Sequence, residues 1–214
     1  MFREVLPVLH ENEVIIERSL SYFDSLDAPK RVYEFNSKMK LILIIVNPVI
    51  RVISYFTHRL SANFTSNEQF SKLFESTILD KKGKVRENDN RSRISNNYFT
   101  RGKYSIHYKR WLKYFPKEQI LVLNGENFKI NPYEEIKKVE NFLNLKPYFV
   151  ENMFIYDESK GFYCFNQNEE ITCLGSDKGR EHPFVSDEVK LKLKNAFKSY
   201  DEELFKLINQ KPFW

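Results

Sequence analysis

The sequence predicts an α/β fold, a three-layer sandwich with a mainly parallel sheet between helices, and three features carry that expectation. Leu41-Ile-Leu-Ile-Ile-Val46 is an unbroken aliphatic run, too short to cross a membrane and rich in β-branched residues. Such a run reads as a strand buried on both faces, as the strands of parallel sheets are. Asn47-Pro48 follows at once, an N-cap and a first helical residue whose missing N–H costs nothing. The alternation then returns: Gln119-Ile-Leu-Val-Leu123 reads as a strand, Asn124-Gly125 as a turn and Asn131-Pro132 as a helix start.

The remaining elements follow in order. Met1 to Asn12 is charged and broken by Pro7, an irregular or partly helical lead-in. Glu13-Val-Ile-Ile-Glu-Arg-Ser19 predicts a short strand with Arg18 and Ser19 at its carboxyl end. Asp24 or Ser25 can cap a helix over residues 28–36, with Pro29 in its first turn. After the aliphatic strand, Val49, Val52, Ile53 and Phe56 keep helical spacing, while Arg51, Ser54 and His58 share the other face. Residues 66–78 predict a helix burying Phe70, Leu73 and Phe74. Residues 80–97 are nearly all polar and predict a long mobile loop, its basic residues solvated or, as the lesser alternative, touching an acidic polymer. A helix over 104–115 has Ile106, Tyr108, Trp111, Leu112 and Phe115 for an apolar stripe, and Pro116 stops it. The helix from Asn131 runs through Ile136, Val139, Phe142 and Leu143. Residues 155–174 are aromatic and Gly-punctuated, a β-hairpin carrying both cysteines, and 177–183 a basic turn. Ser186 caps a last helix whose Val189, Leu193, Phe197, Leu204, Leu207 and Ile208 finish the core. With no repeat and no linker, residues 1–214 read as one domain.

Composition narrows the function. The chain of 214 residues is 42% hydrophobic and 15% aromatic, enough for one full core and against disorder. A net charge of +5 favours an anionic partner: nucleic acid, an acidic polysaccharide or a nucleotide phosphate. Nucleic acid is the poorest of these, because the basic residues are scattered and no nucleic-acid motif is present. Cys164 and Cys173 have no second pair or histidine cluster, which argues against zinc and any other metal site. They are either two inert thiols or a disulfide closing a small loop in an oxidising compartment. Asn63-Phe-Thr65 and Asn90-Arg-Ser92 are glycosylation acceptor patterns that fit a secretory route. Residues 1–13 lack the apolar core of a signal peptide, so a lumenal protein of this sequence would be missing its front end.

Three clusters fall at element ends: Arg18-Ser19, Arg51 with Ser54, and Lys178-Gly179-Arg180. A phosphate wants charge and short-range donors, and Gly179 lets backbone N–H groups approach closely. A strand feeding a helix N-terminus adds free N–H groups at the sheet's carboxyl edge. Together these suit a nucleotide phosphate.

Several blocks, in this order, resemble the heparan sulfate glucosaminyl sulfotransferases. They are Glu17-Arg-Ser-Leu-Ser-Tyr-Phe23, Asn47-Pro-x-x-Arg51-x-x-Ser54, His107-x-x-Arg110-Trp-Leu, Lys160-Gly-Phe-Tyr-Cys164 and Cys173-Leu-x-x-x-Lys178-Gly-Arg-x-His-Pro183. The likeness runs from Glu13 to Trp214. Tyr163, the cysteine spacing and Lys-Gly-Arg-x-His-Pro lean toward the 3-O-sulfotransferases. Tyr22-Phe-Asp-Ser25 and Val46-Asn-Pro48 lean toward the sulfotransferase domain of the N-deacetylase/N-sulfotransferases.

The resemblance implies a P-loop-like sulfotransferase fold and metal-free transfer of a sulfuryl group from 3′-phosphoadenylyl sulfate (PAPS) to a glucosamine of heparan sulfate, the 3-O position favoured. N-sulfation, or an inactive remnant that still binds PAPS or heparan, is the alternative. It implies that Ser54 holds the 3′-phosphate and that Tyr163, Lys178, Gly179, Arg180, Glu181 and His182 wrap the nucleotide. Arg18 would support catalysis and, with Ser19 and His58, meet the polysaccharide, while Cys164 and Cys173 would form the family's disulfide. It also implies a Golgi-lumen enzyme whose membrane anchor lies outside this chain. The family's first strand, Gly-rich 5′-phosphosulfate loop and catalytic glutamate would lie upstream of Glu13, and Met1 to Asn12 contains none of them. Val46 replaces a 3′-phosphate arginine of the 3-O members, and Arg18 replaces a lysine, which is not a neutral exchange.

Overall fold

The computed structural model describes residues 14–19, 21–60, 66–86, 98–175 and 182–214. Two parallel strands, β1 (Leu41–Ile45) and β2 (Ile120–Asn124), pair in register from Leu41 opposite Ile120 to Ile45 opposite Asn124. Between them run α2 (Pro48–Leu60), α3 (Asn67–Ile78) and α4 (Tyr104–Trp111), and α1 (Ala28–Phe35) precedes β1. After β2 come the single turn α5 (Asn127–Ile130) and α6 (Pro132–Leu143). A separate antiparallel sheet then forms from β3 (Phe154–Asp157), β4 (Phe162–Gln167) and β5 (Glu170–Thr172). The last helix is α7 (Asp187–Ile208).

The helix starts obey their sequence signals. Asn47 Oδ1 accepts from Val49 N at 2.9 Å, Ser66 Oγ from Gln69 N, Asn131 Oδ1 from Glu134 N and Ser186 Oγ from Val189 N. At α1 it is Ser25 that serves, its hydroxyl accepting from Ala28 N at 3.2 Å.

Two apolar clusters make the core, and α7 belongs to both. Its Val189, Leu193 and Phe197 meet Val52, Ile53 and Phe56 of α2 and Phe70, Phe74 and Ile78 of α3. One end further on, Leu204 meets Ile45 of β1, Ile120 and Val122 of β2, and Tyr104, Tyr108 and Trp111 of α4. At 22 residues, α7 is about 33 Å long, which lets one helix tie both clusters together.

Several expectations need correction. Val14–Ser19 forms no strand: Val14 and Ile16 are 60% and 79% exposed, and a β-branched run without a partner edge gains nothing from extension. β1 is buried on one face only. Leu41, Leu43 and Ile45 face the core, but Ile42 and Ile44 are 41% and 56% exposed. Of the loop predicted over 80–97, residues 80–86 form an ordered turn closed by an antiparallel bridge between Leu79 and Val85; residues 87–97 lie outside the described residues. Leu73 of α3 is exposed and Ile78 takes its place inward. In α4 Ile106 points out while His107 is buried, and the helix stops at Trp111. The predicted hairpin is a three-stranded sheet.

Candidate functional site

Both parallel strands end at one edge, and short hydrogen bonds fix that edge. Gly125 N donates to Ile45 O at 2.7 Å, bringing the turn after β2 against the end of β1. A side chain at Gly125 would put its Cβ 2.5 Å from Val46 Cγ1 and 2.8 Å from Ile45 O, so only glycine fits. Glu126 Oε1 accepts from Asn47 N at 3.2 Å, and Tyr104 Oη donates to Val46 O at 3.1 Å. Burial pushes the Tyr104 phenol up to about 12 against the opposing pull of Arg51, so it stays a donor at any physiological pH. Beneath the turn, buried Glu135 accepts from Asn124 N and Asn127 Nδ2.

On α2, the residues facing away from the core are Arg51, Ser54 and His58. Ser54 and His58 are exposed. Arg51 is half-buried: its Nη2 donates to Tyr98 O, and its Nε is buried without a hydrogen-bond partner. Burial lowers the Arg51 pKa, with the Tyr104 phenol acting in the opposite sense.

Beside this helix lies the segment that follows Arg18 and Ser19. Asp24 pairs with Arg101 at 2.9 Å, and the Arg101 guanidinium lies 5.7 Å from the Tyr55 ring centre. Arg110 Nη1 donates to the carbonyls of Asp24 and Ser25, and Trp111 Nε1 to that of Phe23. His107 Nε2 lies 2.8 Å from Thr100 O, and burial lowers the ring's pKa. The His107-x-x-Arg110-Trp block is thus a clamp on residues 23–25 and 100. Arg18 itself is exposed and Ser19 half-buried.

The antiparallel sheet reaches the same side of the molecule. β4 packs against α5, which directly follows the carboxyl end of β2. Tyr163 on β4 is half-buried and meets Tyr156 edge-on, ring centres 5.2 Å apart. The next residue, Cys164, is disulfide-bonded to Cys173 just past β5. Asp157 lies within 4.8 Å of both sulfurs, but two sulfurs tied to each other offer no thiolate to a metal. His182, exposed, lines an open hollow of about 300 Å³ with Asn67, Pro183 and Phe184. Desolvation and then the Lys129 ammonium of α5 lower its pKa. Lys178, Gly179, Arg180 and Glu181 lie outside the described residues, as do Asn63, Asn90 and residues 1–13.

So β4 and His182 are brought to the α5 turn beyond β2, next to the strand edge that launches the helix of Ser54. Arg18 and Ser19 are not carried there by a strand. Sequence reasoning missed Asp24, Arg101 and Glu126, which build the edge. Their signal is three-dimensional, since each partners a residue about 50 or more positions away except within its own turn. Among the described residues, no helix is long and apolar enough to cross a membrane.

A parallel sheet edge feeding a helix N-terminus, beside a disulfide-closed antiparallel sheet, defines the class of the chain as an α/β protein. The chain belongs to the sulfotransferase domain family, whose model matches residues 24–213. It is 32% identical over its whole length to human "Heparan sulfate glucosamine 3-O-sulfotransferase 5", covering 60% of that protein. It is 28% identical over 98% of its length to mouse "Bifunctional heparan sulfate N-deacetylase/N-sulfotransferase 2", covering 24% of that one. The chain therefore spans 60% and 24% of the lengths of these relatives. Its fold is similar to that of the sulfotransferase from Alicyclobacillus acidocaldarius, with a TM-score of 0.61 at 19% identity over 90% of this chain and 64% of the other.

Proposed function

We propose that residues 1–214 form one sulfotransferase domain that transfers a sulfuryl group from PAPS to a glucosamine of heparan sulfate, with the 3-O position favoured. The observation that carries this reading is the likeness, along the whole of this chain, to 60% of a heparan sulfate glucosamine 3-O-sulfotransferase. Two placements support it: the helix of Ser54 starts directly after β1, and the strand of Tyr163 packs against α5, just past β2.

In this reading Ser54 donates to the 3′-phosphate, and Tyr163 and residues 178–182 enclose the nucleotide. Arg18, Ser19 and His58 meet the polysaccharide, and Arg18 stabilises the transferring group. The acceptor oxygen attacks sulfur in line as the bond from sulfur to the 5′-phosphate oxygen breaks. The acceptor's proton passes to water, and 3′-phosphoadenosine 5′-phosphate (PAP) carries off the electron pair of the broken bond. Protein positive charge and position do the work, as in phosphoryl transfer, and no metal is needed. Glu135 and Glu140 are buried and turned to structural use: Asn124 N, Asn127 and Lys138 occupy both oxygens of Glu135, and Tyr148 N and Phe149 N share Oε1 of Glu140. The active form would be a membrane-anchored protein of the Golgi lumen.

N-sulfation is the second reading, favoured by the likeness to the N-deacetylase/N-sulfotransferase. Incubation with PAPS and a heparan oligosaccharide, with mass spectrometry to place the sulfate, decides between them. PAP binding without turnover would leave an inactive nucleotide-binding remnant. Lys178→Ala or Arg180→Ala is expected to weaken PAP binding by about 1–3 kcal/mol, one charge-assisted bond. Unchanged PAP affinity in both variants removes the nucleotide from that turn.

A further inference from the structure

We infer that the turn at residues 80–86 is a second polyanion-binding surface, one that grips a sulfated polysaccharide chain away from the sheet edge. The inference rests on the proposed acceptor for the identity of the polymer.

The turn is built to present charge. Gly83 N donates to Asp80 O, Asp80 N to Lys84 O, and Arg86 N to Ile78 O. Asp80 Oδ1 accepts from Lys82 N at 2.8 Å and Lys84 N at 2.9 Å, so one carboxylate folds the loop and faces inward to its own backbone. Those bonds hold the Asp80 pKa below its ordinary value. Gly83 takes φ +70°, the left-handed conformation that reverses the chain.

The lysines are left outward. Lys81, Lys82 and Lys84 are exposed, and no carboxylate pairs with any of them among the described residues. Elsewhere on the surface Lys30, Lys72, Lys137, Lys190 and Lys198 each have a carboxylate three or four residues away within 4.0 Å. Two more cations adjoin the turn. Arg86 donates through Nε to Leu79 O, and the Lys192 Nζ of α7 lies 3.4 Å from where a Gly83 Cβ would stand. Two carboxylates of the described residues lie beside these cations: Asp80, already engaged, and Glu188, paired with Lys192.

Position gives the surface its use. The turn continues from the last residue of α3, and Asn67 at the other end of that helix lines the hollow of His182. Twelve residues of helix separate the two, about 18 Å. A polysaccharide of many sugars can reach both, and a tetrasaccharide seated at the sheet edge, beyond the hollow, cannot. Two tethered contacts raise affinity with chain length, and release of counterions makes that gain salt-dependent.

The test compares the full chain with the triple variant K81Q/K82Q/K84Q. Binding of an N-sulfated heparan tetrasaccharide, a hexadecasaccharide and PAP is titrated at two salt concentrations. The variant is expected to lose about tenfold or more for the hexadecasaccharide. Its salt dependence should flatten, while tetrasaccharide and PAP affinities and the melting temperature stay unchanged. The triple arginine variant should restore long-chain binding. Equal hexadecasaccharide affinity and salt slope in the parent and the glutamine variant overturn the inference alone. A parent chain that binds the hexadecasaccharide no better than uncharged dextran overturns the acceptor reading and this surface together.

Discussion

The two halves of this molecule keep their shape by different means. Around α7, Val52, Phe74, Leu193 and Phe197 are wholly shielded from solvent, and rings stack closely, Phe99 on Phe197 at 4.3 Å. In the antiparallel sheet β5 is exposed throughout, and Ile155, Tyr156 and Ile171 face solvent. There the order comes from the Cys164–Cys173 bond and from a knot of rings, Phe149, Phe154 and Phe165, each about 6 Å from the next. Burial supports the first half and covalent closure the second. A site spanning both should then respond to two separate perturbations.

The largest expected effect falls on the buried half. Phe197→Ala would remove a ring packed on Phe99 and on the α2–α3 cluster, leaving a cavity in the densest part of the core. A loss of about 3–5 kcal/mol is expected in urea unfolding. A loss below about 1 kcal/mol would mean that the cluster is far looser than its burial implies. Reduction of the disulfide comes next. Freeing this short loop should cost about 2–3 kcal/mol on the chain-entropy model. Hydrogen exchange should rise in β4 and β5 well before it rises in α2 or α7. Uniform acceleration across the chain would erase the distinction between the halves.

The site offers a finer probe. Tyr163→Ala is expected to weaken PAP binding by about 1–2 kcal/mol in the oxidised protein. In reduced protein the same substitution should add little, because the strand that aims the ring is no longer held. Ser54→Ala should weaken PAP equally in both redox states, since burial alone holds its helix. Calorimetric titration of the variants with and without reductant measures the coupling. Equal losses for Tyr163→Ala in both states would show that the disulfide does not position that face.

Much of the buried half was legible in the sequence. The strand at 41–45, the Asn47-Pro48 helix start and the α7 stripe all rest on local patterns that the fold agrees with. What was not legible depends on partners remote in the chain. Residues 14–19 have strand composition, but composition cannot supply a neighbouring edge. His107 reads like any polar helix residue until Thr100 O and the Phe23 ring enclose it. Glu135 and Glu140 look like solvated charges, yet they cap backbone N–H groups at Asn124, Tyr148 and Phe149. Asp80 hides in a run of lysines as the residue that folds it. For the site, resemblance supplied the roles, and the structure supplied the packing of β4 against α5, just past the end of β2.

The smallest effect also lies in the buried half, and it is set by pH. Asp201 of α7 accepts from Trp214 Nε1 at 2.9 Å, while its second oxygen is buried without a partner. Burial pushes its carboxyl from 3.8 up to about 6, with the Trp214 bond working the other way. The folded chain therefore keeps a proton that the unfolded chain releases. The resulting stabilisation is complete below about pH 4 and fades as pH rises through about 6. Asp201→Asn keeps an acceptor for Trp214 and removes the titration. Thermal melts should coincide for parent and variant near pH 4, and by pH 7.5 the variant should be ahead by about 1 kcal/mol. Because Trp214 packs against Tyr104 and Phe205, this shift should appear in the global transition and leave the exchange rates of β4 and β5 relative to it unchanged. Parallel pH profiles for the two proteins would place the charge of Asp201 in solvent and take titration out of the α7 core.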